Sequence, residues 1–150
     1  MSLPAGYTLR EVTLADADAV AVHRYPEVGD TAERPPYAAW LAGALAAGRY
    51  LGLMAVCRGE VVAGAGLTLL EWGPTRGQPE SLRGRLVNVW THPEHRRLGL
   101  ARTLCAGLLA RARARGIGTV GLGSTPQARD LYLALGFAPQ PAEMKWEAPR

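Results

Sequence analysis

Residues 92–104, HPEHRRLGLARTL, set two adjacent arginines, Arg96 and Arg97, just before a stretch with helical periodicity. A helix N-terminus leaves its first N–H groups unpaired and carries partial positive charge, so cations there cost roughly 0.3–1 kcal/mol each. An anion seated in the turn would offset that cost. Gly99 has no Cβ and Ala101 a small one, so the backbone can approach a bulky oxyanion while Arg96 or Arg97 adds charge. A phosphate or pyrophosphate meets all of these conditions. The alternative is a solvated basic turn whose glycine eases entry into the helix.

Downstream, Ala101, Leu104, Cys105, Leu108, Leu109 and Ala112 repeat at 3.6-residue spacing and predict one buried helix face, with Arg102, Arg111 and Arg113 off it. Gly116 stops the helix, and IGTVGLG (117–123) reads as a compact buried strand parallel to RLVNVWTH (85–92). Strand, helix and strand form a βαβ unit, whose ligands bind at the carboxyl ends of the strands, where the arginine pair falls.

Working outward, YTLREVTL (7–14) predicts an edge strand and LADADAVAVHR a helix with Asp16 and Asp18 in its first turn. RYPEVGDTAERPP (24–36) is a loop whose Pro35 and Pro36 open a second helix, YAAWLAGALAAG. Apolar runs on either side of Arg58-Gly59-Glu60 predict a hairpin, and GPTRGQPESLRG (73–84) a polar, mobile loop. TPQARDLYLALG gives a last helix with Ala128, Leu131, Tyr132 and Leu135 on one face, and EMKWE a closing strand.

The 150 residues suit one domain, 1–150, with a core that needs no staples. Cys57 and Cys105 show no metal or redox spacing, which argues against a zinc site, a thiol-redox motif or a disulfide framework and fits a reduced, cytoplasmic setting. No apolar run approaches the ~18–20 residues of a membrane span, and no leader pattern opens the chain. The net charge is +4, and sixteen of the seventeen basic residues are arginine, Lys145 being the exception. That excess suits an anionic partner, though compositional bias toward Ala, Arg and Gly accounts for it equally well.

Arg96-Arg97-Leu98-Gly99-Leu100-Ala101 resembles the R/Q-x-x-G-x-G/A signature of the GCN5-related N-acetyltransferases (GNAT), preceded by the strand and HPEHR turn typical of them. Ala128-Arg129-Asp130-Leu131-Tyr132 followed by Leu135-Gly136-Phe137 resembles the same family's A-x-x-L-Y-x-x-L-G-F segment. The likeness covers roughly residues 84–147 and in the N-terminal half rests on element order alone. It implies an α/β (α+β) GNAT fold: a mixed central sheet of about six to seven strands, helices on both faces, and a splayed parallel pair. It also implies acetyl-CoA as cosubstrate, its pyrophosphate on the amides of Arg97 to Arg102 and its pantetheine along Val89, Trp90 and Thr91. A backbone N–H there would stabilise the developing oxyanion, a contribution worth roughly 2.7–4 kcal/mol per donor.

By the same resemblance Tyr132 protonates the departing thiolate; by pattern alone it is a core tyrosine with a satisfied hydroxyl. The sequence departs from the family in two places. Arg85 stands where some relatives carry a glutamate base, leaving Glu71, Glu80, His92 or water to take the amine's proton. Thr125 replaces a frequent asparagine, so its bond to the pantetheine or thiolate is an open expectation. Trp40, Trp72 and Trp90 allow an aromatic acceptor site or plain packing, and the loops 24–36 and 73–84 lie where relatives bind acceptors. The resulting expectation is acetyl transfer to a primary amine of a small molecule, peptide or protein, with no metal, nucleic acid or membrane, and with homodimerisation open. A silent acetyl-CoA sensor and a basic nucleic-acid module are the alternatives. The second demands a basic stripe interleaved with exposed aromatics, which helix 99–115 lacks.

Overall fold

In the computed structural model, which describes residues 2–150, the predicted hairpin forms the middle of the sheet. β2 (Tyr50–Cys57) and β3 (Glu60–Glu71) are joined by Arg58 and Gly59, both left-handed at φ 51° and 79°, as a type I′ turn requires. β1 (Tyr7–Glu11) lies antiparallel to β2 at one edge, and β4 (Leu82–Thr91) lies antiparallel to β3. β5 (Val120–Gly121) pairs parallel with β4 at the other edge, giving the order β1-β2-β3-β4-β5.

The mixed sheet is as expected, but it has five strands where six to seven were predicted. One expected strand is missing and another is shorter than expected. IGTVGLG does not pair along its length: only Val120 and Gly121 join β4, because the two chains then diverge. EMKWE forms no strand, and Met144 and Trp146 are exposed. A two-residue β5 offers almost no ladder to extend.

Helices cover both faces. α1 (Ala17–Arg24) and α2 (Arg34–Ala46) pack on one, where Ala21, Leu41, Tyr50 and Met54 are buried together. α3 (Leu100–Ala114) packs on the other with Leu53, Leu67, Leu104 and Leu108. Leu53 and Met54 are adjacent in β2 yet join different cores, the two-residue alternation of a strand buried on both sides. α4 (Arg129–Ala134) docks on the α3 side through Leu131 and Tyr132. Asp16 ends a 3-10 turn before α1, where it accepts from the Thr13 N–H at 2.7 Å and from Arg10 at 2.8 and 2.9 Å. The Arg10 guanidinium holds its carboxyl down at about 2.

Candidate active site

The β4/β5 pairing ends at Arg85 and Gly121, so beyond that point β4 runs on toward Thr91 with no strand among the described residues on its β5 side, and the Thr91 carbonyl accepts from Arg96 Nε at 3.4 Å. After Val87 the β3 ladder breaks as well. Gly66 pairs with Val87 but Gly64 with Trp90, so β4 carries one extra residue, a bulge with Asn88 left-handed at φ 56°. A cavity of about 460 Å³ opens here, between Leu86–Val89 of β4 on one side and Gly123, Thr125 and Tyr132 on the other. His23, Arg24 and Tyr25, at the end of α1, complete its wall.

Asn88 organises the floor. Its amide nitrogen donates to the Tyr37 hydroxyl at 2.7 Å and the Tyr50 hydroxyl at 3.0 Å, and its oxygen accepts from Arg24 Nη1 at 2.8 Å. Tyr50 is buried, and burial raises its phenol, so it stays protonated. Gly66 makes room for it: a Cβ at that position would overlap the Tyr50 hydroxyl. His23 stacks on Trp90 with ring centroids 3.8 Å apart and planes at 7°, and burial lowers its imidazole, which keeps it neutral.

Tyr132 lines the cavity from α4. Its ring is buried against Phe137, 5.9 Å away between centroids, yet its hydroxyl makes no hydrogen bond to any described residue. It is also not among buried polar atoms lacking a partner, so the hydroxyl is not sealed in the core, and the residue lines the cavity. Burial, with Cys105 nearby, raises its phenol and keeps the proton in place.

The arginine turn follows β4 directly. After a 3-10 turn at Pro93–His95, Arg97 and Gly99 are both left-handed, at φ 63° and 75°, with Gly99 as the N-cap of α3. The Thr103 N–H is bonded to the Gly99 carbonyl at 3.0 Å, so the N–H groups of Leu100, Ala101 and Arg102 precede the intrahelical ladder. Arg96, Arg97, Leu98 and Gly99 are exposed, and a Cβ on Gly99 would meet nothing within 4 Å. The turn thus sets N–H groups outside the helical ladder beside open space at a helix N-terminus, an arrangement that favours anions.

The sequence profile of the Acetyltransferase (GNAT) family matches residues 14–137. The chain belongs to that family. The GCN5-related N-acetyltransferase of Ralstonia eutropha JMP134 superposes with a TM-score of 0.85 at 29% identity, covering 95% of this chain and 99% of its own. A predicted acetyltransferase of Clostridium acetobutylicum, solved with acetyl-CoA, shares the fold at 19% identity and TM-score 0.83, over 94% and 96% of the two chains. So does an aminoglycoside acetyltransferase from a soil metagenomic sample, at 19% identity and TM-score 0.75, over 100% and 99%. No curated protein matches the sequence significantly. As a GNAT member the chain is an acyl-CoA-dependent N-acyltransferase.

Within that family frame the structure brings together Val89, Thr125 and Tyr132 on one cavity and leaves Arg96 to Arg102 on the turn beyond it. Trp90 and Thr91 lie between, on β4, where they pair with Gly64 and Ala63 of β3. The Thr125 hydroxyl accepts from the Ala128 N–H at 3.3 Å as a helix cap. None of Glu71, Glu80 and His92 lines the cavity. Glu71 accepts from Ser81, Glu80 from the Leu82 N–H, and His92 from the Glu94 N–H. Trp72 is exposed under the Arg83 guanidinium, 4.3 Å from its ring centroid, so the three tryptophans do not form one aromatic site. Sequence reasoning missed His23, Arg24, Tyr37, Tyr50 and Asn88, whose only sequence trace is a polar residue inside the apolar strand 85–92. Among the described residues there is no cluster able to hold a metal ion, and no helix is long and apolar enough to cross a membrane.

Proposed function

We propose that the protein transfers an acetyl group from acetyl-CoA to a primary amine by direct attack in a ternary complex. The observation that carries this reading is the cavity between the splayed strands, which Tyr132 lines and from which β4 leads on to the arginine–glycine turn that opens α3. Acetyl-CoA supplies an activated thioester. The N–H groups of Leu100, Ala101 and Arg102, with Arg96 or Arg97, take its pyrophosphate, and the edge of Val89 to Thr91 that no strand pairs on the β5 side takes its pantetheine. The amine nitrogen bonds to the thioester carbon, the C–S bond breaks, and the sulfur leaves with the electron pair. Tyr132 donates its proton to that sulfur, and neutral His23 takes the proton that the nitrogen sheds. The backbone at the Asn88 bulge offers an N–H to the thioester oxygen as charge develops.

Ligand stabilisation tests the cosubstrate. At ~100 times its Kd, acetyl-CoA adds about 2.7 kcal/mol to the native state, roughly 5–10 °C in melting temperature for a chain of this size. Acetyl pantetheine, which lacks the pyrophosphate, gives a much smaller shift. No shift with saturating acetyl-CoA overturns the assignment.

A further inference from the structure

We propose that the acceptor is a small primary amine that also carries a carboxylate, with the Arg24 guanidinium as its anchor; this deepens the acetyltransferase reading above and rests on it. Arg24 is fixed by neutral groups alone. Its Nη1 donates to Asn88 at 2.8 Å and its Nε to the Tyr25 hydroxyl at 3.2 Å, while its plane lies over the Tyr37 ring, 4.6 Å from the centroid. Asn88 is in turn held by two tyrosine hydroxyls. No carboxylate pairs with Arg24: the ion pairs among the described residues are Arg10–Asp16, Arg111–Glu11 and Lys145–Glu147. Nη2 makes no hydrogen bond to a described residue, so the Nη1/Nη2 edge can still take an oxyanion in the forked geometry that arginine favours.

The rest of the cavity agrees in charge. It has no Asp or Glu in its wall, and a second cation borders it: a Cβ on Gly123 would lie 3.5 Å from Arg85 Nη2. An acceptor with a second ammonium, such as a polyamine or an amino sugar with several amines, would meet two guanidiniums and no counter-charge. A helix C-terminus welcomes an arginine on its own account, and Arg24 ends α1. That role asks only for a cation near the last carbonyls. It does not explain a guanidinium clamped by an asparagine of β4 sixty-four residues away. Size is the last constraint, since about 460 Å³ must hold the acetyl end of the thioester beside the acceptor.

The test measures coenzyme A release for paired acceptors, several amino acids each beside its decarboxylated amine, with wild type, Arg24→Gln and Arg24→Lys. In the wild type the carboxylate member of at least one pair has the higher kcat/KM, by roughly 10–100-fold, the worth of a charged hydrogen bond. Arg24→Gln collapses that ratio chiefly through KM, and Arg24→Lys restores part of it. Decarboxylated amines that turn over as well as their partners in every pair, or a ratio that Arg24→Gln leaves unchanged, overturn the proposal while the acetyltransferase reading stands. Silence with every acceptor, together with no acetyl-CoA thermal shift, overturns both.

Discussion

Tyr132→Phe removes one oxygen, and the structure separates what that oxygen does from what the ring does. The ring is buried beside Phe137, and phenylalanine keeps that packing. The hydroxyl bonds to no described residue and is not fully buried, so its removal leaves no buried group without a partner, and stability should stay within about 0.5 kcal/mol. Turnover should fall by roughly 10²–10⁴, or about 3–5 kcal/mol of barrier, the usual worth of a positioned acid. Burial raises the phenol, so wild-type Tyr132 carries its proton throughout the neutral range. A free thiol has a pKa near ~8.5, so its thiolate leaves unaided more readily in alkaline solution, and the defect should shrink as pH rises. Steady-state kinetics at several pH values, with melting temperature on the same preparation, reads all three quantities. A stability loss of about 0.5–1.5 kcal/mol with turnover nearly unchanged would refute the assignment and make Tyr132 a core residue with a satisfied hydroxyl.

Gly99→Val should lower acetyl-CoA affinity at least tenfold by placing a branched side chain over the turn; because φ is 75° it should also cost roughly 1–2 kcal/mol of stability, so binding is measured by calorimetry well below the variant's melting temperature. Affinity within threefold of wild type would contradict the assignment of the turn. Gly66→Ala should destabilise by roughly 1–3 kcal/mol and raise the acceptor KM, because the new methyl displaces the Tyr50 hydroxyl that holds Asn88; denaturant melts and kinetics check both. His23 has its pKa lowered by burial, so it stays a base to below its ordinary value; kcat/KM should therefore fall only below about pH 6.5, and His23→Gln should erase that limb.

Where local pattern carried the information, sequence and structure agree. The 3.6-residue repeat of Leu104, Cys105, Leu108 and Ala112 placed α3 and its buried face, and the two apolar runs around Arg58-Gly59 placed the hairpin. The order of β4, turn and helix followed from the arginine pair and Gly99. What escaped was set by contacts between distant segments. The Arg24–Asn88–Tyr37–Tyr50 cluster joins α1, α2, β2 and β4, and no window of sequence contains it. The bulge at Asn88 depends on how β4 registers against β3. The length of β5 was overestimated because an apolar run predicts burial but not whether its parallel partner stays alongside. Likewise EMKWE alternates as a strand does, but alternation cannot supply the ladder it would need.

Release of coenzyme A thiol from acetyl-CoA, followed across a panel of amines with the acetylated product identified by mass, tests the central claim most directly. Saturable release is expected with at least one small amine, with one N-acetylated product formed per thiol released, and both should fall together in Tyr132→Phe. Acetyl-CoA that binds and stabilises the protein yet yields neither thiol nor acetylated amine from any acceptor would contradict it and leave a protein that holds the thioester without transferring it.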